Sequence, residues 1–332
     1  MSLSNGENNM ARIAITDGMA AKAVKHLENS GHEVVLGFIA KEDLLAGALT
    51  GFDAVIIRSA TKMSAEIIAA NPNIKVIGRA GVGVDNIDLV AAKENGVMVV
   101  NSPRASTQSV VELTIGHLLA SLRHLTASNR GLRAGLWQKK EMTGTELSGK
   151  CLGLIGYGRI AQGVASVAKA MGMAIHTYDP YLPARIAKQQ GARLHEKVET
   201  LFENCTHISV HCNLSDETYH LVNAEMMAKM PKKSPDGIEC GNHIVNCARG
   251  GIIDEDELLA ALESGVIASA ALDVFEVEPM PKDHALLQHD NFHGTPHIGA
   301  ATLEAQARVG IDIGDAVMVA LSGKEPETIV RS

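Results

Sequence analysis

Short apolar runs alternate with helical patterns along almost the whole chain. The first half contains strand-like runs such as RIAITD, FDAVIIRS and VMVVNSP, which are separated by segments with a helical pattern such as KEDLLAGAL. A second set begins at Cys151 with CLGLIGYG and continues through AIHTYDP, THISVHC, HIVNCARG and ASAALDVF. Strands that alternate with helices in this way predict a parallel sheet with helices on both faces. We therefore expect an α/β fold built from two doubly wound parallel sheets.

Four longer segments complete the pattern. We predict one long helix over residues 106–125, a polar irregular stretch over 130–150 and a final helix over 302–321. The fourth segment, PKKSPDGIECGN at 231–242, is rich in turn-forming residues and predicts a surface loop, whose role the sequence leaves open.

Length and charge limit the classes of function. A chain of 332 residues suggests two domains, and its net charge of −8 argues against nucleic acid or an anionic membrane as the main partner. No apolar run is long enough for a membrane span, and the N-terminus does not match a signal peptide, so we expect a cytoplasmic protein. The five cysteines include no CxxC pair and are expected to be buried, reduced thiols.

The most specific local signal is GYGRIA at residues 156–161, which follows one strand and opens a helix. It matches the pattern G-x-G-x-x-G/A of dinucleotide-binding turns. Gly156 permits the tight turn, and Gly158 lets the backbone approach a pyrophosphate that rests on the start of the helix. Ala161, at the third glycine position, still allows close packing of helix on strand.

An acidic residue, Asp179, ends the next strand about 20 residues after Gly158. Its carboxylate can accept hydrogen bonds from both ribose hydroxyls and would repel a 2′-phosphate, which predicts NAD rather than NADP as cofactor. A glycine-rich turn that binds no ligand is the alternative for an isolated motif. Here the strand, the helix and the spaced acid occur together.

Three further residues carry groups suited to catalysis: Arg249 and Glu278 each follow a predicted strand, and His297 follows Pro296. Oxidation of a 2-hydroxy acid needs a base for the hydroxyl proton and a cation for the carboxylate, and histidine and arginine suit these roles. A neighbouring carboxylate would stabilise the protonated imidazole. Taken singly, each residue could instead be structural. We expect no metal site, because Pro296 prevents His293 and His297 from forming a helical pair of ligands.

With these residues in place, the sequence resembles the D-isomer-specific 2-hydroxyacid dehydrogenases. The resemblance covers nearly the whole chain and rests on the blocks GRAGVGVDNIDL, NSPRAS, GLIGYGRIAQ, YDPY, VNCARGGIIDEDEL, ALDVFEVEP and TPHIGAAT. It implies that Arg249, Glu278 and His297 form the catalytic set. It also implies a Rossmann NAD domain over 104–299, inserted into a flavodoxin-like substrate domain made of 10–103 and 300–332, and a homodimer formed through the NAD domains.

The resemblance also implies a set of binding residues. The implied cofactor contacts are Val82, Gly156, Gly158, Arg159, Ile160, Asp179, Cys212, Cys247, Asp273, Gly299 and Ala300. The loop that binds the substrate carboxylate falls on Gly81, Val82 and Gly83, whose backbone N–H groups would face the substrate.

Within the family, the blocks IIRSATKM and GRAGVGVDNID are most similar to the branch that oxidises 3-phospho-D-glycerate. There Arg58 and Arg79 match residues that hold the substrate phosphate, and Lys139 falls where the partner subunit adds a cation; for each alone, a solvated surface charge is the alternative. The chain ends at Ser332, before the C-terminal regulatory domain of many members, so serine feedback is not expected. The alternatives are a reductase of glyoxylate, hydroxypyruvate or another 2-keto acid and, more remotely, an NAD-sensing corepressor-like binding module.

Overall fold

The computed structural model describes residues 10–331, and its backbone contacts divide them into two units. One unit comprises the described residues up to Ser106 together with those from Ala300 onward. The other comprises Thr107–Gly299. The absence of a signal peptide is inferred from the N-terminal sequence MSLSNGENNMAR, of which MSLSNGENN lies outside the described residues, as does Ser332.

The first part of the chain forms a five-stranded parallel sheet. Its strands are β1 (Arg12–Ile15), β2 (Glu33–Leu36), β3 (Ala54–Ile57), β4 (Val76–Arg79) and β5 (Met98–Asn101). The helices between them are α1 (Ala21–Asn29), α2 (Lys41–Leu45), α3 (Ala65–Ala70) and α4 (Leu89–Glu94).

Residues 107–299 form a seven-stranded parallel sheet. Two helices, α5 (Thr107–Leu122) and α6 (Leu125–Arg133), precede the strands β6 (Cys151–Ile155), β7 (Ala174–Tyr178), β8 (Arg193–His195), β9 (His207–Val210), β10 (His243–Asn246), β11 (Ser269–Leu272) and β12 (Phe292–Gly294). The connecting helices are α7 (Arg159–Ala170), α8 (Ala184–Gln189), α9 (Val198–Asn204), α10 (Ala224–Ala228), α11 (Glu255–Glu263) and a 3-10 helix (Ala285–Gln288). The last helix, α12 (Leu303–Leu321), then packs on β4 and α1 of the five-stranded unit.

The order of the strands identifies the fold type of each sheet. The five-stranded sheet has the order β2-β1-β3-β4-β5, which is the flavodoxin-like order, and every pair is parallel. The seven-stranded sheet has the order β12-β11-β10-β9-β6-β7-β8, which is the Rossmann order with one added strand. The predicted fold class is therefore confirmed. The strand order reverses beside β1 in one sheet and beside β6 in the other, and such switch points bind ligands at the carboxyl ends of the strands.

Each sheet separates two hydrophobic cores, because strands covered by helices on both faces bury both sets of side chains. In the seven-stranded unit, α5 and α7 cover one face, and α9, α10 and α11 cover the other. In the five-stranded unit, α1 and α12 cover one face, and α2, α3 and α4 cover the other. Within residues 10–331, we find no helix with the length and apolarity that a bilayer crossing requires.

The predicted helix over 106–125 is wrong in extent. The structure ends α5 at Leu122, and His124 adopts a left-handed backbone (φ 49°) that breaks the helix. A second helix, α6, then continues to Arg133, inside the stretch that we expected to be irregular.

The loop at 231–242 supplies the partner of a buried lysine. The Lys150 side chain is 3% exposed, and its Nζ lies 2.8 Å from the carboxylate Oδ2 of Asp236 in the loop. The hydrogen bond from Lys150 lowers the pKa of Asp236 to about 2. Because an unpaired buried ammonium is costly, the loop has a structural role next to the start of β6.

Candidate active site

Gly156 lies at the switch point of the seven-stranded sheet, directly after β6. Its φ of +82° belongs to the left-handed region, and a Cβ atom there would lie 2.9 Å from the backbone nitrogen of Cys212, which follows β9. Both the turn and the close approach of the two strand ends therefore require glycine.

The residues after this turn fit a dinucleotide. Gly158 precedes the first turn of α7, and no protein atom lies within 4 Å of the position of an added Cβ, so a pyrophosphate has room to approach the backbone. The first-turn N–H groups of a helix lack partners within the helix and attract anions. Each oxygen of Asp179 accepts one backbone N–H group, from Tyr157 and from Tyr181, at 2.9 Å. Each oxygen keeps a second lone pair for a ribose hydroxyl.

The other predicted cofactor contacts are divided between the two units. Arg159 and Ile160 lie in the first turn of α7, whereas Cys212, Cys247 and Asp273 follow β9, β10 and β11, and Gly299 ends the same unit. Val82 and Ala300 belong to the five-stranded unit. All five cysteines are free thiols, and all but Cys212 are buried.

The predicted catalytic residues follow three neighbouring strands. Arg249, Glu278 and His297 come after β10, β11 and β12, which are adjacent in the sheet. The Nδ1 atom of His297 lies 2.8 Å from Oε2 of Glu278. The other carboxylate oxygen of Glu278 accepts the backbone N–H of Phe275 at 3.1 Å. This arrangement leaves Nε2 of His297 as the ring nitrogen that can exchange a proton with a substrate.

Charge around Glu278 favours its ionised form. Burial raises the pKa of this carboxyl, but the hydrogen bonds from His297 and Phe275 and the positive charges of His297 and Arg249 outweigh burial, so that the pKa is lowered. An ionised Glu278 in turn stabilises the protonated imidazole of His297.

Asp273 bonds to residues on both sides of His297. Its Oδ1 accepts the Thr295 hydroxyl at 2.6 Å and the Ile298 N–H at 2.8 Å, and its Oδ2 accepts the Gly299 N–H at 2.8 Å. His297 itself has φ 52°, a left-handed conformation that is uncommon for residues other than glycine. The buried Asp273 therefore holds the histidine in a conformation that an unrestrained loop would rarely adopt.

In the five-stranded unit, the predicted phosphate ligands lie on neighbouring strand ends. Arg58 follows β3 and Arg79 ends β4, with Ile57 opposite Arg79 in the register. The guanidinium of Arg79 lies where a Cβ of Gly81 would be, and Gly81 has φ +153°. Arginine and glycine thus pack together, which brings a predicted phosphate ligand onto the predicted carboxylate-binding loop.

Two side chains shape this part of the five-stranded unit. Asp17 Oδ2 accepts the backbone N–H groups of Arg58, at 2.6 Å, and Thr61, at 3.0 Å. The side-chain amide of Asn101 donates to the carbonyl of Val82 at 2.7 Å, next to Gly83.

In the other unit, Lys139 is exposed in the stretch after α6.

Sequence reasoning missed a group of residues beside Glu278. Glu276 bonds to Glu255 and His220, and Asp254 also contacts His220. The acidic run IIDEDEL predicts only a helix start, and nothing local links that run to a histidine more than 30 residues earlier. A search for strand-end acids would have found Glu276 but not its partners.

This chain is similar to proteins of a known family. Residues 115–299 match the family model described as "D-isomer specific 2-hydroxyacid dehydrogenase, NAD binding domain". D-3-phosphoglycerate dehydrogenase of Methanocaldococcus jannaschii is 44% identical over 322 residues, which are 97% of this chain and 60% of that protein. This chain thus spans about 60% of the length of that relative.

Two further proteins match over nearly their full length. Hydroxypyruvate reductase of Thermotoga maritima is 44% identical over 305 residues, 91% of this chain and 95% of that protein. The crystal structure of NAD+-bound 3-phosphoglycerate dehydrogenase of Entamoeba histolytica aligns with a TM-score of 0.80 and 30% identity, covering 97% of this chain and 99% of that one. The resemblance seen in the sequence is confirmed: this chain belongs to the D-isomer specific 2-hydroxyacid dehydrogenase family and carries that family's NAD-binding domain.

Proposed function

We propose that this protein oxidises a D-2-hydroxy acid to the 2-keto acid, reversibly and with NAD. The observation that carries the proposal is the 2.8 Å contact between His297 and Glu278, at the same edge of the sheet as the dinucleotide-binding turn. NAD supplies the hydride acceptor when bound. The protein has to bind the acid, orient its C2 atom and move one proton.

His297 is the group that accepts and returns the substrate proton. In oxidation, Nε2 of the neutral ring accepts the proton of the substrate hydroxyl, and Glu278 stabilises the resulting positive charge. In reduction, the protonated ring returns that proton to the keto oxygen. Arg249, which follows the neighbouring strand, supplies a planar cation suited to a carboxylate and polarises the keto oxygen.

For the substrate, we favour 3-phospho-D-glycerate. The 44% identical relative from M. jannaschii is named D-3-phosphoglycerate dehydrogenase. Arg58 and Arg79 on adjacent strand ends of the five-stranded unit offer two cations for a phosphate. The N–H groups of Gly81, Val82 and Gly83 would bind the carboxylate.

A second candidate is reduction of hydroxypyruvate or glyoxylate. It is favoured by the T. maritima relative, which is named hydroxypyruvate reductase and matches this chain over 95% of its own length. Such a substrate lacks the phosphate, so Arg58 and Arg79 would contribute little to its binding.

A substrate panel distinguishes these functions. NADH formation with 3-phospho-D-glycerate and NADH consumption with 3-phosphohydroxypyruvate, hydroxypyruvate and glyoxylate would be followed by absorbance, with NADP and NADPH in parallel. We expect the highest kcat/KM for the phosphorylated pair with NAD. Higher values for hydroxypyruvate would favour the second candidate, and NADH binding without turnover of any acid would favour an NAD-sensing binding module.

The protein is proposed to form a homodimer through the seven-stranded unit. Helix α6 and the residues after it expose Leu125, Leu132, Leu136 and Trp137, the last with 83% of its surface accessible. Exposed large apolar side chains on one segment of this kind suit an interaction surface. The dimer would also bring Lys139 to the partner's substrate. Trp137 is the only tryptophan in the sequence, so a red shift of its emission on dilution, alongside light scattering, tests the dimer.

A cytoplasmic location belongs to the same proposal. It rests on the five free cysteines, because reduced thiols persist in a reducing compartment.

A further inference from the structure

The turn that carries Glu278 also carries a second acid, Glu276, which is bound from its other side. The backbone N–H of Glu276 donates to Oε1 of Glu255 at 2.7 Å. In return, the backbone N–H of Glu255 donates to Oε1 of Glu276 at 3.2 Å. Two reciprocal bonds therefore join the start of α11 to the segment after β11.

His220 connects the same group to a third segment. Its Nε2 lies 3.0 Å from Oε1 of Glu276, and its Nδ1 lies 3.0 Å from Oδ2 of Asp254. Its backbone is left-handed (φ 50°), and its N–H donates to the carbonyl of Gly251 at 2.8 Å. Like His297, this histidine is held in an uncommon backbone conformation and bonded to a carboxylate of the turn.

Only one residue separates Glu276, which contacts Glu255 and His220, from Glu278, which contacts His297. Phe275 donates its N–H to Glu278, and Glu276 is the next residue. The loop that carries Arg249 packs against the same backbone, because a Cβ at Gly250 would overlap the carbonyl of Phe275. A shift of Glu276 therefore moves the segment that supports Glu278 and borders Arg249.

Capping of α11 does not explain Glu255, whose Oε2 also lies 3.5 Å from Nε2 of His284. The N-terminus of α11 is already capped by Asp254, whose side chain accepts the N–H of Glu257 at 3.0 Å. Glu255 is 6% exposed, and burial raises the pKa of its carboxyl. A buried carboxylate is costly. Across residues 10–331, no group of three or more histidine, cysteine or acidic side chains is arranged to hold a metal ion.

We propose that Glu255 and His220 are positioning residues that hold Glu278 in place for His297, acting through Glu276. The inference rests on the proposed function, in which His297 exchanges the substrate proton. The charged groups facing Glu255 are Glu276, Asp256 and His284, and those facing Glu278 are His297 and Arg249.

The test compares Glu255→Ala with two controls in the full chain. Glu255→Gln keeps an oxygen that can accept the N–H of Glu276. Asp256→Asn removes one negative charge from the same helical turn at an exposed position. We expect Glu255→Ala to lower kcat for keto-acid reduction by up to about 10²-fold, with KM for NADH nearly unchanged, because misplacement of a catalytic group by about 1 Å has such a cost. Glu255→Gln should restore most of the loss, and Asp256→Asn should resemble the wild type.

A second measurement needs no turnover. NMR titration of the histidine rings in the protein without ligands, with the His297 signal assigned from a His297→Gln sample, shows where that ring gains its proton. Glu255→Ala should move the His297 titration to lower pH, in the same direction as Glu278→Gln, whereas Asp256→Asn should leave it in place. If Glu255→Ala fails to fold, His220→Asn replaces it, because asparagine tolerates the left-handed backbone but is too short to bridge Asp254 and Glu276.

The outcomes separate the inference from the proposed function. An unmoved His297 titration in Glu255→Ala or His220→Asn would overturn the positioning role, even if turnover fell. An equal effect of Asp256→Asn would show a general effect of charge and would also overturn it. If the wild type turned over no 2-hydroxy acid, the proposed function would fail, but the titration would still decide whether these residues position Glu278.

Discussion

The two units of this protein share a doubly wound architecture and differ in how they fix their functional side chains. In the seven-stranded unit, the polar side chains at the strand ends bind one another: His297 contacts Glu278, and Asp273 holds the backbone around His297. In the five-stranded unit, Arg79 donates to the backbone carbonyl of Ala80 at 3.1 Å and packs over a glycine loop.

Under the proposed function, this difference follows from the chemistry required of each region. Proton transfer depends steeply on the position and protonation of one group, so the group needs several fixed partners. Binding of a phosphate by cations, and of a carboxylate by backbone N–H groups, depends mainly on charge and tolerates more adjustment. We therefore expect substitutions in the first region to change kcat and substitutions in the second to change substrate preference.

The largest effect is expected at His297. His297→Ala removes the proposed proton acceptor and should lower kcat by about 10²- to 10⁴-fold, the usual contribution of a positioned acid or base. NADH affinity, measured by fluorescence titration, should remain nearly intact. The control is His289→Ala, which removes a histidine on the same segment of chain without touching Glu278. Near-normal turnover in His297→Ala would mean that another group carries the proton.

The next effect tests the five-stranded unit. Arg79→Ala should weaken binding of a phosphorylated acid by roughly 2–4 kcal/mol, as when a buried charged pair is broken. The change for hydroxypyruvate should be much smaller. Steady-state kcat/KM for both substrates measures the difference, and Arg104→Ala at an exposed position of the same unit is the control. Equal losses on both substrates would make Arg79 a structural residue.

Cofactor preference is the third test and concerns only the seven-stranded unit. Asp179→Ala should remove hydrogen bonds to the ribose worth about 1.5–3 kcal/mol and also the repulsion of a 2′-phosphate. The ratio of kcat/KM for NAD to that for NADP should then fall towards one. Comparable values for the two cofactors in the wild type would contradict the assignment of Asp179.

Acid should destabilise the two units unequally. Burial lowers the pKa of His243 to about 4, and that of its stacked neighbour His207 is lowered as well. The unfolded chain therefore binds more protons below pH 6.5, and stability is lost as the pH falls from about 6.5 towards 4. For His243 alone the loss is about 2 kcal/mol at pH 5.

Every histidine whose pKa is lowered lies in the seven-stranded unit: His117, His176, His195, His207, His211, His243 and His293. Between pH 7 and pH 5, hydrogen exchange should show a larger loss of amide protection in this unit than in the five-stranded unit. His243→Gln should make the loss in the seven-stranded unit smaller. Equal loss of protection in both units would contradict this explanation.

The smallest effect is expected from Glu278→Gln. Glutamine keeps a hydrogen-bond acceptor but removes the charge that stabilises the protonated ring of His297. Under the proposed function, reduction requires that proton. The fall of kcat/KM with rising pH should therefore begin at a lower pH in Glu278→Gln than in the wild type, by about one pH unit or less. The pH profile of keto-acid reduction in both proteins measures the displacement. A profile that does not move would remove Glu278 from the proton-transfer mechanism.

Much of this protein is predictable from local sequence. The alternation of strands and helices predicts two parallel sheets, and GYGRIA with Asp179 predicts the dinucleotide turn, because these signals depend on residues close together in the chain. The residue types of Arg249, Glu278 and His297 indicate acid–base chemistry and carboxylate binding for each residue singly, without showing that the three side chains meet. The break between α5 and α6 was not predictable, since it depends on one backbone conformation at His124.

Only the tertiary structure decides which of these residues meet. The contact of His297 with Glu278 spans 19 positions, the bond of Asp273 to Gly299 spans 26, and the contact of His220 with Glu276 spans 56. Each depends on the order of strands in the sheet, and a repeating hydrophobic pattern contains no information about that order. The sequence by itself therefore determined the kinds of elements and the chemistry of single residues. The three-dimensional packing of strand ends determined which histidine is bonded to which carboxylate.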